Sequence, residues 1–237
     1  MQHYMIEPNQ ILDTYIEIGS EDFHHIFNVM RKKNNDKIIC VDSINKQQYL
    51  CEIVDDKKVK IVELLNTNNE LKNDITLVVS LLSFEKYELV IQKACELGVS
   101  KFIPIITKHS IIKYDKKKID KKLIRWNKII KEACEQSQRN TLMKIEAPIK
   151  FEDVIKYKEK FNALAYEKAD CNKKIKNVFN GASSCLLMIG PEGGFHQEEV
   201  DYLVENGFET ISLGKRILRS ETAVISALSI LSDLIEE

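Results

Sequence analysis

Downstream of about residue 74, short apolar runs alternate with segments of helical period, and this alternation restricts the possible folds more than any other feature of the chain. The apolar run at 75–82 has the pattern of a strand buried on both faces. It is followed by helical periodicity over 84–97 that Gly98 closes. A second strand is expected at 102–106. The segment 117–138 then places Ile119, Leu123, Trp126, Ile129, Ile130, Ala133 and Cys134 on one helical stripe. Strands are expected at 144–147, 163–166 and 185–189, with helical segments near 152–160 and 172–179 between them. A helix at 197–206 ended by Gly207, a strand at 210–213 and a closing helix at 221–235 complete the series. Regular βα alternation implies an α/β fold whose mostly parallel sheet carries helices on both faces.

The first seventy residues obey a different period. Short β-like runs at 14–18, 37–41, 48–54 and 59–65, separated by turn-prone Asp42-Ser43-Ile44-Asn45 and Asp55-Asp56, suggest a small β-barrel. Between them, residues 20–30 read as one amphipathic helix, with Ser20 as N-cap and Phe23, Ile26, Phe27 and Met30 at helical spacing. The polar stretch 66–74 suits a linker. Two domains are therefore expected, over residues 1–70 and 74–237.

Thirty-five Lys and Arg against 36 Asp and Glu give a net charge of −1, which argues against coating nucleic acid by bulk electrostatics and leaves room for a local basic face. Residues 1–7 lack a basic segment leading into an apolar one, and the longest apolar run is far too short to span a bilayer. The expectation is a cytoplasmic protein with no membrane partner. Six scattered cysteines contain no C-x-x-C pair, and the five histidines lack i,i+4 pairing, so neither a disulfide framework nor a metal site is expected.

Only eight glycines occur in the chain, and five of them (Gly190, Gly193, Gly194, Gly207, Gly214) fall within one window of 25 residues. Gly207 reads as a helix C-cap. The other four lie in Gly190-Pro191-Glu192-Gly193-Gly194 and Leu213-Gly214-Lys215, both leaving the C-terminal end of an expected strand, where open α/β sheets bind ligands. Neither a Walker loop nor a dinucleotide fingerprint is present, and Glu192 inside the glycine turn argues for a neutral or cationic ligand over a phosphate. A Gly-Pro turn alone is often only a turn, so the second segment carries the weight. Capping explains Ser220 (as N-cap) and Glu221 (as first-turn acid) but leaves Arg216 and Arg219 unexplained, because cations at a helix N-terminus are unfavourable.

At these residues the sequence resembles the RsmE family of the SPOUT methyltransferases. The two signature segments are Gly190-Pro191-Glu192-Gly193-Gly194-Phe195 and Leu213-Gly214-Lys215-Arg216-Ile217-Leu218-Arg219-Ser220-Glu221-Thr222-Ala223. Further matches are Lys86 and Glu88, Gln92-Lys93 with Glu96-Leu97-Gly98-Val99, Glu132-Ala133-Cys134-Glu135-Gln136-Ser137 with Arg139, and the block around His24-His25 and Val29-Met30-Arg31. The resemblance implies a trefoil-knotted SPOUT sheet over 74–237, a PUA-like RNA-binding β-barrel over 1–70, a homodimer, and methylation of N3 of a uridine in 16S ribosomal RNA of the small subunit. It also implies S-adenosylmethionine as cofactor, held by Ala165, Tyr166 and Glu167, by Ile189, Gly190, Pro191, Glu192, Gly193 and Gly194, and by Leu213, Gly214, Ile217 and Leu218.

Uracil N3 is a weak imide acid, so its methylation needs positive charge beside the carbonyl oxygens; Arg219 and Arg139 are the candidates, with Glu221 as orienter or proton acceptor. Arg139 at the end of the long helix also suits the helix dipole, and Glu221 also suits a helix start, so both have structural readings beside the catalytic ones. For RNA contact the candidates are Arg31, Lys32, Lys33 and Arg216. The nine Lys and Arg of 108–128 (Lys108, Lys113, Lys116, Lys117, Lys118, Lys121, Lys122, Arg125, Lys128) face only Asp115 and Asp120 and fit either phosphate contact or a solvated face. His24 and His25 carry little weight in that role. Two other functions stay open: a SPOUT enzyme acting on transfer RNA or another ribosomal base, and a non-catalytic RNA-binding or assembly protein.

Overall fold

The computed structural model describes residues 1–55, 57–110 and 116–237. Lys113 and Asp115 of the basic stretch and Asp56 of the expected turn lie outside the described residues, as do the side chains of Lys116 and Lys117. The chain divides into two units, Met1–Glu70 with Cys134–Leu142, and Leu71–Ala133 with Met143–Glu237. Residues 134–142, which hydrophobic period alone assigns to the downstream domain, thus belong with the first seventy.

In the first unit, β1 (His3–Ile6), β2 (Ile11–Leu12), β3 (Tyr15–Glu17), β4 (Lys37–Asp42), β5 (Gln47–Ile53) and β6 (Lys58–Leu65) form a curled six-stranded sheet. Its order is β1-β4-β5-β6-β3-β2, with β1 parallel to β4 and the remaining pairs antiparallel. Alternate residues, among them Tyr4, Ile6, Ile38, Cys40, Cys51 and Ile53, close one apolar cluster with Ile16, Ile26 and Val59. The expected helix over 20–30 is present over Ser20–Val29 but in two parts. Gly19, not Ser20, is the N-cap, and α1 (Ser20–His24) widens into a π-helical turn over His25–Val29, where the Met30 N–H reaches the His25 carbonyl at 2.8 Å. The wider turn shifts the helical face, so Ile26 is buried while Met30 is exposed.

In the second unit, β7 (Asp74–Ser80), β8 (Lys101–Ile106), β9 (Lys144–Ile145), β10 (Ile149–Lys150), β11 (Phe161–Ala165), β12 (Ser184–Ile189) and β13 (Glu209–Ile211) form a seven-stranded parallel sheet. Its order is β10-β8-β7-β12-β11-β13, with β9 also on β8. Helices α2 (Phe84–Glu96), α3 (Lys116–Gln136), α4 (Ile175–Val178), α5 (Gln197–Glu205) and α6 (Ser220–Glu236) complete it. The segment expected as a helix near 152–160 is 3-10 turns over Phe151–Tyr157. Little of the one expected near 172–179 is helical, because the Asn177 amide donates to the Asn172 carbonyl at 2.7 Å and holds a turn before α4.

Strand residues Val78, Ile103, Leu164, Leu186 and Met188 pack with Phe195, Val200 and Leu203 into one buried cluster. Each such side chain contributes about 1.5–3 kcal/mol through removal from water. On α2 and α6, which pack together, Val90, Ile91, Val224, Leu228 and Leu231 are equally buried, and the Ser232 hydroxyl donates to the Leu97 carbonyl at 2.8 Å. The topology has one consequence for function. Because β12 and β13 flank β11 and all three run parallel, the loops leaving their C-terminal ends gather at one edge of the sheet.

Candidate functional site

Those three loops line a cavity of about 290 Å³. Ala165, Tyr166 and Glu167 come from the end of β11, and Ile189, Gly190, Pro191, Glu192, Gly193 and Gly194 from the end of β12. Leu213, Gly214, Lys215, Arg216, Ile217 and Leu218 come from the segment between β13 and α6. Every residue expected to hold the cofactor is among them, and so is Arg216, which the sequence pointed toward RNA. Phe195, Ser212, Lys215, Ser220 and Ala223 complete the lining without having been singled out as ligands. Ser212 directly follows β13 and Ala223 lies in the first turn of α6, on either side of the segment Leu213–Leu218 that the strand-end argument singled out.

The glycines are required by the geometry. A Cβ on Gly190 would stand 2.9 Å from the Phe195 ring, and one on Gly194, at φ +70°, would stand 3.1 Å from a Glu167 carboxylate oxygen. Gly214 adopts φ +118° and a Cβ there would meet nothing within 4 Å, so conformation rather than crowding selects glycine at that place. Ser220 is a correction to the sequence reading. The N-cap of α6 is Arg219, whose side chain makes no capping bond, and the Ser220 hydroxyl donates instead to the Gly190 carbonyl at 3.1 Å. One side chain thereby ties the β12 loop to the start of α6.

Charge around the cavity is mixed. Glu192 forms an ion pair with Lys86 of α2, so its carboxylate repels an anion less than its place in the glycine turn suggested. Glu167 remains as an exposed acid on the lining, and Lys215 and Arg216 stand across the same cavity. Arg219 is exposed and makes no ion pair among the described residues, while its neighbours Leu218 and Ser220 both line the cavity. Glu221 stands in the first turn of α6, and its Oε2 is buried with no hydrogen-bond partner among the described residues.

The turn after β8 supports the glycine loop from outside. Its Thr107 and Ser110 hydroxyls interlock with Ser80 at the end of β7, whose Oγ lies 2.8 Å from Thr107 Oγ1 and 3.0 Å from Ser110 Oγ. The buried Glu199 carboxylate accepts from the Lys108 and His196 N–H groups at 2.9 and 2.8 Å. So placed, His109 Nδ1 donates to the Gly194 carbonyl at 3.0 Å, and its Cβ would lie 3.3 Å from a Cβ on Gly193. Sequence reasoning missed this support, because nothing in the pattern of 107–110 signals a partner more than eighty residues away.

Other candidates are placed elsewhere. Arg139 belongs to the first unit, 4% exposed, and its guanidinium meets Glu70 at 2.6 Å. It does not end the helix as expected: α3 stops at Gln136, Gln138 turns left-handed at φ +60°, and the Arg139 N–H returns to the Cys134 carbonyl at 3.0 Å. Arg31, Lys32 and Lys33 also lie in the first unit, Arg31 at φ +54° and the Lys33 N–H donating to Asp36 at 2.9 Å. In the basic stretch, Lys122 and Arg125 pair with Glu88, and Lys108 pairs with Glu198. Its excess of free positive charge is therefore smaller than the count of cations suggested.

Residues 69–232 match the family described as the RNA methyltransferase domain, and residues 18–64 match the RNA methyltransferase PUA domain. With the parallel sheet and its gathered loops, these matches define an RNA methyltransferase of the knotted SPOUT class joined to a PUA-type unit. Ribosomal RNA small subunit methyltransferase E of Bacillus subtilis is 38% identical, the alignment covering 98% of this chain and 96% of that protein. The protein of the same name from Mesomycoplasma hyopneumoniae is 34% identical over 95% and 97%. The crystal structure of ribosomal RNA small subunit methyltransferase E from Neisseria gonorrhoeae, bound to S-adenosylmethionine, superposes with a TM-score of 0.88 at 27% identity, covering 99% of this chain and 98% of that one. The chain belongs to the ribosomal RNA small subunit methyltransferase E family.

Proposed function

We propose that the chain transfers a methyl group from S-adenosylmethionine to N3 of a uridine in 16S ribosomal RNA, with residues 1–70 as an RNA-binding domain, residues 74–237 as the catalytic one, and a homodimer as the working form. The observation that carries this reading is the cavity, formed where three adjacent parallel strands end and lined by the very loops that the family motifs mark. Its size is close to the lower bound of small-molecule sites, about 300 Å³. The lining fits the donor: glycines let main-chain groups approach closely, the Phe195 ring and Leu213, Ile217 and Leu218 supply apolar surface, and Glu167 offers a carboxylate suited to a cation.

S-adenosylmethionine, when bound, supplies an electrophilic methyl group on a positively charged sulfur. The chain's own residues then do the rest. The loops after β11, β12 and β13 hold the donor, chiefly through main-chain groups. Arg219, a guanidinium free of an ion pair among the described residues, offers donors to the carbonyl oxygens of a uracil whose N3 is losing its proton. Glu221 Oε2, buried and without a hydrogen-bond partner among the described residues, is the acceptor left open for that proton or for orienting Arg219. Arg139 is assigned a structural role within the first unit rather than a part in the reaction, because its guanidinium is already engaged by Glu70.

The reading is tested by mapping methylated nucleotides by mass spectrometry in ribosomal RNA from cells with and without the protein, with transfer RNA as comparison. One N3-methyluridine in 16S RNA that disappears with the protein is expected. Its persistence, or loss of a methyl group from transfer RNA instead, overturns the assignment. Calorimetry with S-adenosylmethionine separately tests the scaffold alternative, for which no heat of binding is expected.

His109 gives a further expected result. Removing one hydrogen bond of about 1 kcal/mol predicts that His109→Ala weakens S-adenosylmethionine binding about three- to tenfold. His109→Asn, which keeps a donor near Nδ1, should restore most of the affinity, and kcat at saturating donor should hold. An unchanged dissociation constant for His109→Ala would remove His109 from the site's support.

A further inference from the structure

Beside the cofactor cavity lies a second cleft of about 610 Å³, and the two share Gly214, Lys215 and Arg216. Its far wall is the segment around α4, which contributes Lys174, Lys176, Asn172 and Asn177. Four of the cleft's eight lining residues are cations and none is an acid, in a chain whose net charge is −1. All four cations are exposed, and none forms an ion pair among the described residues. The neighbouring Lys173, outside the lining, pairs with Glu209 at 3.4 Å. The wall is built rather than loose: the Ser212 N–H donates to the Lys173 carbonyl at 2.8 Å, fixing this segment to the end of β13, and the Lys173 N–H donates to the Asp170 carbonyl at 2.9 Å.

We infer that this cleft binds phosphodiester groups of the RNA strand next to the nucleotide being methylated. A single anion would need one or two cations at one point. Here Lys174 and Lys176 come from the segment around α4 and Lys215 and Arg216 from the segment between β13 and α6, a spread over two segments that suits successive backbone phosphates, with the Asn172 amide in the same lining as a group for ribose hydroxyls. The cleft's position follows the same logic, since a nucleotide presented at the cofactor cavity continues into a backbone that must cross its rim, and Lys215 and Arg216 stand on that rim. The inference rests on the proposed function only for the class of macromolecule.

The test uses full-length protein carrying Lys174→Ala and Lys176→Ala together. Transcribed 16S ribosomal RNA is titrated at several salt concentrations, and S-adenosylmethionine by calorimetry. RNA affinity is expected to fall at least tenfold at low salt. The slope of log K against log salt should become shallower by about 1.4 to 1.8, the yield of two lost phosphate contacts. S-adenosylmethionine affinity should stay within twofold, and the Lys174→Arg, Lys176→Arg protein should bind RNA like the parent. Unchanged RNA affinity and slope would overturn the proposal. A fall in S-adenosylmethionine affinity would also overturn it, by making the cleft part of the cofactor site. If RNA binding falls as expected while the parent protein leaves uridine N3 unmethylated, the cleft stands and the proposed reaction fails.

Discussion

Arg219→Ala is expected to lower the rate of methyl transfer at saturating donor and RNA by about 10²- to 10³-fold, the effect of losing one preorganised donor to a developing oxyanion, or roughly 2.7–4 kcal/mol. Affinity for S-adenosylmethionine should remain within about twofold. The residue occupies the N-cap of α6 with extended backbone at φ −64°, ψ 153°, a place where asparagine, aspartate, serine or threonine would contribute a cap and where a cation opposes the helix dipole. It makes no capping bond, it is exposed, and Leu218 and Ser220 on either side of it line the cavity. Local stability therefore gives no account of an arginine here, whereas stabilising a uracil anion at the cavity does. Arg219→Lys should recover only part of the rate, since a point charge cannot bridge two positions as the planar guanidinium does. Raising the pH should narrow the gap between Arg219→Ala and the parent, because hydroxide then does part of the work of forming the anion. An Arg219→Ala protein that folds normally and keeps its rate within threefold would place the catalytic charge elsewhere.

The parts of this molecule that follow from local pattern were readable, and those that follow from meeting at a distance were not. The apolar run around Val78 and Val79 announced a doubly covered strand, because burial on both faces leaves no room for polar alternation. The crowding of glycines between Gly190 and Gly214 announced a place of close approach, and the cavity lies there. His3–Ile6 carries no pattern distinct from its surroundings and is a strand because β4 offers it a parallel edge. Ser220 has the residue type of a cap, but the Gly190 carbonyl outcompetes the helix for its hydroxyl, a choice made by the β12 loop thirty residues earlier. Lys86 and His109 support the glycine loop from α2 and from the turn after β8, and no spacing rule links them to it. The assignment of Cys134–Leu142 to the first unit is likewise invisible to periodicity, since α3 reads as one uninterrupted stripe to its end.

That last segment carries the second large effect. Glu70 and Arg139 are 15% and 4% exposed, and they meet in a pair that the Asn140 and Thr141 N–H groups extend, donating to Glu70 Oε1 at 2.8 and 3.0 Å. Burial alone would raise the Glu70 carboxyl. The hydrogen bond and charge of Arg139, with the two N–H donors, outweigh burial and hold it below the usual value of 4.5. Removing one partner of a buried pair costs about 3–5 kcal/mol, so Glu70→Ala should destabilise the protein by about that much, because it takes the carboxylate away from a buried guanidinium and from two N–H groups. Arg139→Met should cost less, because the carboxylate keeps its N–H donors, and the double variant should resemble Glu70→Ala more than the sum of the singles. The sign with pH follows from the lowered carboxyl: its stabilisation is complete above 4.5 and is lost as pH falls through the depressed folded-state value. Denaturant unfolding of parent and Glu70→Ala should accordingly show a constant gap from neutral pH down to about 4.5 and a shrinking one below. A Glu70→Ala protein within about 1 kcal/mol of the parent, with no change in that gap in acid, would reduce the pair to an incidental contact. Loss of methyl transfer in an Arg139→Met protein of near-parental stability would restore Arg139 to the reaction itself.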